Sequence, residues 1–479
     1  MNSKLSTAIA IVAAVLAVVA AVLAYQSATA AQIETKSLTE QLAKLQQGIE
    51  ALARDVSSLA EEMKTLKTQM AAVNETNALA EQLGQLRQRL DSVARDVSKL
   101  REEAAALRTE IKSVNDTAAA AYAQARLAAE VASQPVGAVP VKYAKLFTIS
   151  YEGGVYVLRD ALGRRILAVP RGLPPHLLTY YETKYRPEAV VRYPVERAVF
   201  MSSTHVAMAY RLYKETGRSE ILRSIAAIMW GREYEWHLPE IKALLENGTI
   251  TDVGPAYSPN FEKIVAAKPD VVFVYFYPGP YGTEAVISRL RELKIPYVVI
   301  NEFQEDAPLG RAEWVKLLAV FFNATEDAVK LFDSVEARWN ALVASVADLE
   351  RPRVAWFIIY GGVLYPAGPG ARELIRLAGG RYAYANYSKV DMEVVLKHRN
   401  DVDILIWSGY GVSKIEDVVK IEPRLRELRP VVLGRVYAYS PAFYQLSNAY
   451  PERLLEELVR IIHPEAAPPG DFTLFTPLR

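Results

Sequence analysis

The 479-residue chain contains no cysteine. That single absence excludes disulfides, thiolate metal sites and cysteine nucleophiles together. An excess of one charge is also missing. Fifty-six basic and 55 acidic side chains leave a net charge of +1, so no global field draws the chain to nucleic acid. Histidine is scarce: His176, His205, His237, His398 and His463 stand far apart, and no HExxH-type ligand spacing joins them. There is no phosphate loop and no Gly-x-Ser-x-Gly elbow. The chain is therefore read as a non-enzyme with no intrinsic metal or cofactor. Proline is absent between Gln32 and Gln134.

What is present begins with apolar residues, 51% of the chain, enough for a sizeable core in more than one domain. Residues 1–31 hold an uncharged apolar run, "TAIAIVAAVLAVVAAVLAY" from Thr7 to Tyr25. Its 19 residues would span about 28 Å as a helix, close to one hydrocarbon core. Lys4 precedes it and the first acid, Glu34, follows well after. The expectation is a single-pass anchor in the cell membrane, N-terminus inside and the rest extracytoplasmic. The other reading is a cleaved signal peptide with its site at Ala28-Thr29-Ala30.

Residues 32–133 read as a coiled-coil stalk. Segments 34–74 and 75–115 are a tandem repeat, identical at 20 of 41 positions. Apolar residues recur at alternating steps of four and three, from Leu38 to Val73 and again from Leu79 to Val114. This heptad pattern points to a homodimer or homotrimer. A period of 41 is one short of six heptads, so the seam slips near "NETN" at residues 74–77. The rod either continues with a distortion there or turns back as a hairpin. A straight helix of about 100 residues would reach roughly 150 Å. "SQPVGAVP" then ends the helix, and residues 134–142 read as a linker.

From Tyr143 onward short apolar runs alternate with helical ones, which points to an α/β fold. Expected strands are Ala198–Met201, Val271–Phe276, Tyr297–Ile300, Val354–Ile359, Ile404–Trp407 and Val436–Tyr439. Between the two groups, one long helix is expected from about Ala312 to Leu349. The domains read as an opening hairpin and N-terminal lobe at 143–310, an interlobe helix at 311–350 and a C-terminal lobe at 351–479.

Several stretches carry a resemblance: "PVERAVFMSSTHVAMAYRL", "VGPAYSPNFEKIVAAKPDVVFVY", "GPGARELIRLAGG", "DMEVVLKHRNDVDILIW" and "GRVYAYSPAFYQLSNAYPERLLEELVRIIHPE". In order and spacing, residues 145–465 resemble the substrate-binding proteins of ABC importers for iron–siderophore, haem and cobalamin. The resemblance implies two Rossmann-like lobes bridged by one long rigid helix, with a metal chelate held between them and passed to an ABC permease. It also implies that Glu262 and Glu393, at matching places in the two lobes, dock on arginines of that permease.

In open α/β sheets, ligands sit beyond the carboxyl ends of the strands. Those ends are rich in aromatics here. The candidate ligand contacts are Thr204, His205, Trp230, Arg232, Tyr257, Tyr275, Tyr277 and Tyr281 in the first lobe. In the second they are Tyr360, Tyr365, Trp407, Tyr410, Phe443 and Tyr444. Rings give a flat chelate large contact area, and phenols add directional hydrogen bonds. Arg232 and Arg381 are candidate partners for ligand carboxylates or catecholates. His205 or His237, or a tyrosine, is a candidate iron ligand. Sequons at Asn74, Asn115, Asn247, Asn323 and Asn386 suggest a glycosylated external surface, and the apolar core, absent cysteine and proline-bounded loops would suit a hot archaeal one. The alternative function is a stalked, oligomeric cell-surface protein that uses a binding-type domain without docking to a permease.

Overall fold

The computed structural model describes residues 36–69, 76–132, 136–279 and 282–479. The chain divides between Gln134 and Pro135 into two units. The apolar run at 7–25 and the junction at 70–75 lie outside the described residues.

The first unit holds helix α1, residues 36–69, and helix α2, Thr76–Ala132. The side chains withdrawn from water are those of the expected stripe. Leu38, Leu59, Leu86 and Ala104 are buried. Leu42, Leu45, Leu52, Val56, Leu90, Val93, Val97 and Leu100 are half-buried, and the residues between them are mostly exposed. Within one copy of the chain, four positions of the stripe are thus buried and its other described positions partly so. A lone straight helix would leave such a stripe open to solvent.

The second unit opens with strands β1 (Val136–Ala138), β2 (Thr148–Glu152), β3 (Val155–Arg159), β4 (Arg165–Pro170) and β5 (Ala189–Tyr193), with α3 (Pro175–Tyr185) between β4 and β5. They form one sheet in that order, antiparallel up to β4 and parallel between β4 and β5. The opening hairpin expected from "VYVLRDALGRRILAVP" is present as β3 and β4, but it belongs to a five-stranded sheet. One face packs into the main core through Phe147, Ile149, Leu158 and Ile166. The other is covered by Tyr181 of α3, against Val155, Leu167 and Val169.

The first lobe runs β6 (Ala198–Phe200), α4 (Ser203–Thr216), α5 (Ser219–Arg223), β7 (Ile225–Ile228), α6 (Pro239–Glu246), β8 (Thr251–Asp252), α7 (Phe261–Ala266), β9 (Val271–Val274), α8 (Glu284–Glu292) and β10 (Tyr297–Val299). Its five strands are parallel, in the order β10-β9-β6-β7-β8. β6 and β9 are buried on both faces, as their unbroken apolar runs require.

Two helices follow, α9 (Pro308–Val320) and α10 (Thr325–Ser345). This corrects the single long interlobe helix. Phe321 and Phe322 continue the apolar pattern into the core, so periodicity hides the break. At Asn323 the backbone turns left-handed (φ 53°), a conformation asparagine tolerates better than most side chains.

The second lobe comprises β11 (Arg353–Tyr360), β12 (Val363–Pro366), α11 (Pro369–Leu377), β13 (Arg381–Tyr382), α12 (Met392–Lys397), β14 (Ile404–Trp407), α13 (Ile415–Ile421), α14 (Arg429–Val432), β15 (Val436–Tyr439), α15 (Phe443–Leu446), α16 (Pro451–Ile462) and β16 (Phe475–Leu478). The parallel centre β11-β14-β15 is flanked by antiparallel β12 and β16. All six expected strands are present.

The expected linker is pinned rather than free. β1 occupies part of it, and Lys142, Tyr143 and Ala144 donate their backbone N–H groups to the carboxylate of Glu313 on α9 at 2.7–2.9 Å. Lys316, one turn on, pairs with Glu313 at 2.7 Å and donates to the carbonyl of Pro140 at 2.8 Å. Both charged side chains are fully buried. Gly310 lets the segment come close, since a Cβ there would sit 3.1 Å from the Tyr143 carbonyl oxygen.

Candidate ligand-binding cleft

A cavity of about 690 Å³ opens at the carboxyl ends of the lobe strands. Each part of its wall follows from the strand before it. β6 ends at Phe200 and delivers Ser202, Ser203 and Thr204 as α4 begins. β9 ends at Val274 and delivers Tyr275 and Tyr277. β10 is followed by Glu302 and Phe303, and α9 adds Pro308 and Arg311. The second lobe contributes Trp356 from β11, Gly368 to Ala371 at the start of α11, Tyr439 at the end of β15, and Phe443 and Tyr444 of α15.

The β9 loop is held by the buried Asn301, which no sequence motif marks. Its Oδ1 accepts from the Phe276 N–H at 2.7 Å, and its Nδ2 donates to the Phe276 carbonyl at 3.1 Å. Thr283 donates its N–H to the Tyr277 carbonyl at 3.0 Å and its hydroxyl to the Tyr275 carbonyl. Glycine is required at 282, where a Cβ would fall 1.8 Å from the Tyr277 carbonyl oxygen. These bonds fix the backbone that presents Tyr277, whose ring remains 53% exposed.

Among the described residues, two that line the cavity carry charge, Glu302 and Arg311. Glu302 is buried. Its carboxylate accepts from the Thr204 hydroxyl and meets His205 Nε2 at 3.1 Å. Burial opposes ionisation of Glu302, yet His205 and the Thr204 hydroxyl outweigh it and hold the carboxyl below the usual carboxylate range. Tyr439 is pushed the other way, its phenol raised by burial. Tyr439 stacks on Phe443 at 3.5 Å between ring centroids, and Tyr444 meets both edge-on.

Of the candidate contacts, Thr204, Tyr275, Tyr277, Phe443 and Tyr444 come together on this wall. His205 lies behind it, fully buried against Glu302. Trp407 is core, packed edge-on against Phe357. Trp230 and Tyr257 pair with each other, 5.7 Å between centroids, outside the lining. Tyr360 and Tyr365 are exposed beside the β11–β12 turn, and Tyr410 is exposed against Tyr444. Arg232 is exposed and lines no part of the cavity. Arg381 pairs in register with Arg353, the first residue of β11, and so sits at the end of the sheet remote from the cleft. Tyr281 lies outside the described residues. Thr204 and the aromatics were findable because they follow apolar strands directly. Glu302 follows an expected strand just as directly, so the same signal points to it.

Glu262 and Glu393 have matching local structures. Each is exposed and second in a six-residue helix, α7 or α12. Each helix is capped by an Asx side chain, Asn260 or Asp391, accepting from the backbone N–H three residues on. Asn115, Asn247, Asn323 and Asn386 are exposed. Asn74 lies outside the described residues.

Residues 232–442 match the family described as periplasmic binding protein. An uncharacterized lipoprotein of Methanocaldococcus jannaschii is 30% identical over 285 residues, which cover 58% of this chain and 67% of that protein. The chain belongs to the periplasmic binding protein family. A second uncharacterized lipoprotein of the same organism is 30% identical over 247 residues, 47% of this chain and 61% of that protein. Among solved structures, a periplasmic heme-binding protein from Pseudomonas aeruginosa aligns with a TM-score of 0.44 at 14% identity, covering 59% of this chain and 97% of that one. The family is one of binding proteins.

The location expected from the sequence is corrected by these findings. Two relatives in the family are named lipoproteins, and among the described residues no helix is long and apolar enough to cross a membrane. A single-pass helix in the cell membrane is not supported. This sequence itself has no cysteine on which a thioether-linked lipid could be built.

Proposed function

We propose that this chain is the solute-binding protein of an ABC importer, capturing a metal chelate such as an iron–siderophore, haem or corrinoid in the cleft between its lobes. The observation that carries this reading is the cavity itself. Its volume of about 690 Å³ falls within the roughly 300–1,000 Å³ usual for small-molecule sites. Its walls combine Tyr275, Tyr277, Phe303, Phe443 and Tyr444 with a few polar groups, the composition expected for a large, flat, partly polar guest. Thr204 and these rings are its proposed contacts.

Delivery belongs to the same proposal. Glu262 and Glu393 would meet arginines of the permease, one from each lobe. Their shared exposure and their equivalent capped helices support that role.

The test is titration of the purified chain with haem, ferric siderophores and corrinoids, followed by intrinsic fluorescence and by mass spectrometry under native conditions. Binding of one class with Kd in the micromolar range or below is expected. Failure to bind any of them would sink the reading. Replacing Glu262 and Glu393 with arginine should leave that binding intact and abolish uptake in cells carrying the cognate permease.

A further inference from the structure

A second cavity, of about 570 Å³, shares no residue with the cleft. Its walls come from the end of β1, the β2–β3 hairpin and the first two turns of α10. Two tyrosines line the sheet side. Tyr151 and Tyr156 are cross-strand partners with ring centroids 6.1 Å apart, and both are half-buried. Gly137 lets the Tyr151 ring lie over β1, since a Cβ there would collide with the phenol.

The helix side presents Thr325, Glu326, Val329 and Lys330. The Thr325 hydroxyl is buried and has no hydrogen-bond partner among the described residues. Ala324 holds the N-cap position of α10, so no side chain caps the first-turn N–H groups either. Glu326 and Lys330 stand one turn apart and exposed, and neither is ion-paired among the described residues.

A buried hydroxyl without a partner is unfavourable until a guest supplies one. The two rings offer a surface for an apolar face. Glu326 and Lys330 offer an acceptor and a donor whose charges cancel, so the wall selects neither an anion nor a cation. A neutral guest with hydroxyl groups around a partly apolar ring satisfies all three conditions. The volume lies within the roughly 300–1,000 Å³ usual for small-molecule sites.

We infer that this cavity is a saccharide site, separate from the cleft. One source of the sugar would be the chain itself. Asn323, exposed in the break between α9 and α10, belongs to the sequon whose threonine is Thr325. A glycan there joins its anomeric carbon to Asn323 Nδ2, displacing the phosphate of a lipid-linked sugar donor and releasing one amide proton. The other source is a saccharide from outside the chain.

The test uses the full chain expressed without glycosylation. It is titrated by calorimetry and by saturation-transfer NMR with glucose, mannose, N-acetylglucosamine and their disaccharides. At least one sugar should bind with Kd in the millimolar range or below. Thr325→Val keeps the shape and removes the hydroxyl; this variant and Tyr156→Ala should each weaken that sugar by about fivefold or more. Tyr277→Ala, on the cleft wall, should change it by less than about twofold. The inference is overturned if none of these sugars binds, if Thr325→Val and Tyr156→Ala bind at full strength, or if Tyr277→Ala abolishes binding. Peptide mass spectrometry of the chain from its source cells then separates the two sources, both of which keep the site. A glycan on Asn323 with uptake of free sugar lost assigns the guest to the chain itself. A bare Asn323, or undiminished uptake, assigns it to an outside saccharide. The cleft reading stands or falls separately, on chelate binding.

Discussion

His205 Nε2 and Glu302 Oε2 meet at 3.1 Å beneath the cleft floor, one from the first turn of α4 and the other from the turn after β10. Each has a side chain no more than 2% exposed, so neither can turn to water if its partner is removed. Glu302→Leu should cost about 3–5 kcal/mol of stability, read by urea unfolding. A pH dependence follows from the same pair. The folded carboxyl lies below its unfolded value, so its contribution is complete above the unfolded pKa of about 4.3 and is lost as pH falls through the lower folded value. The melting temperature of the wild type should drop more steeply below about pH 4.3 than that of Glu302→Gln.

Two tyrosines expected to line the cleft now separate. Tyr277 is on the cavity wall; Tyr365 is on the exposed strand β12 and is not. Tyr277→Ala should weaken ligand binding by about tenfold or more, whereas Tyr365→Ala should change it by less than about twofold. Isothermal titration with whichever chelate binds distinguishes them, and equal losses would move the site towards β12.

The Glu313 clamp predicts an asymmetry. Glu313→Leu leaves three backbone N–H groups and the Lys316 ammonium without their acceptor, and should cost about 3–5 kcal/mol. Lys316→Met leaves Glu313 with its three amide donors and should cost clearly less. Denaturant midpoints of the two variants give the order; the reverse order would assign the clamp to the lysine.

For the helical unit, Leu59→Asp or Leu86→Asp places a charge at a buried seam position, whereas Ser58→Asp places one at an exposed position. Helix content by far-UV circular dichroism should fall on heating at lower temperature in the first two and hardly change in the third. Because Leu59 and Leu86 are buried within one copy, these midpoints should not move with protein concentration. A rise with concentration would show a second chain on the seam.

Much of this was legible in the sequence where the controlling forces are local. Strands such as Val271–Val274 announce themselves by apolar runs, and Tyr275, Tyr277 and Phe443 by standing next to strand ends. The heptad stripe foretold which helical residues would lose solvent. What escaped depends on contacts between distant segments. Trp356 lies within a strand and reads as core; only the facing lobe makes it a cavity wall. Arg311 sits in an apolar helix, and only the packing of the lobes puts it on the cavity wall. Arg232 and Arg381 looked equally plausible, and sheet register alone sent Arg381 to the wrong end. The break at Asn323 escaped because Phe321 and Phe322 keep the helical period across it. Strand β5 could not be placed beside β4 from sequence, since α3 intervenes.

The clamp of residues 140–144 on Glu313 and Lys316 has a mechanical side. A pull on the chain ahead of Pro140 is shared between the pairing of β1 with β2 and the buried bonds to Glu313 and Lys316 of α9, two and five residues beyond Arg311. The polypeptide leading into this domain is therefore fastened to the same helix that lends Arg311 to the cleft wall.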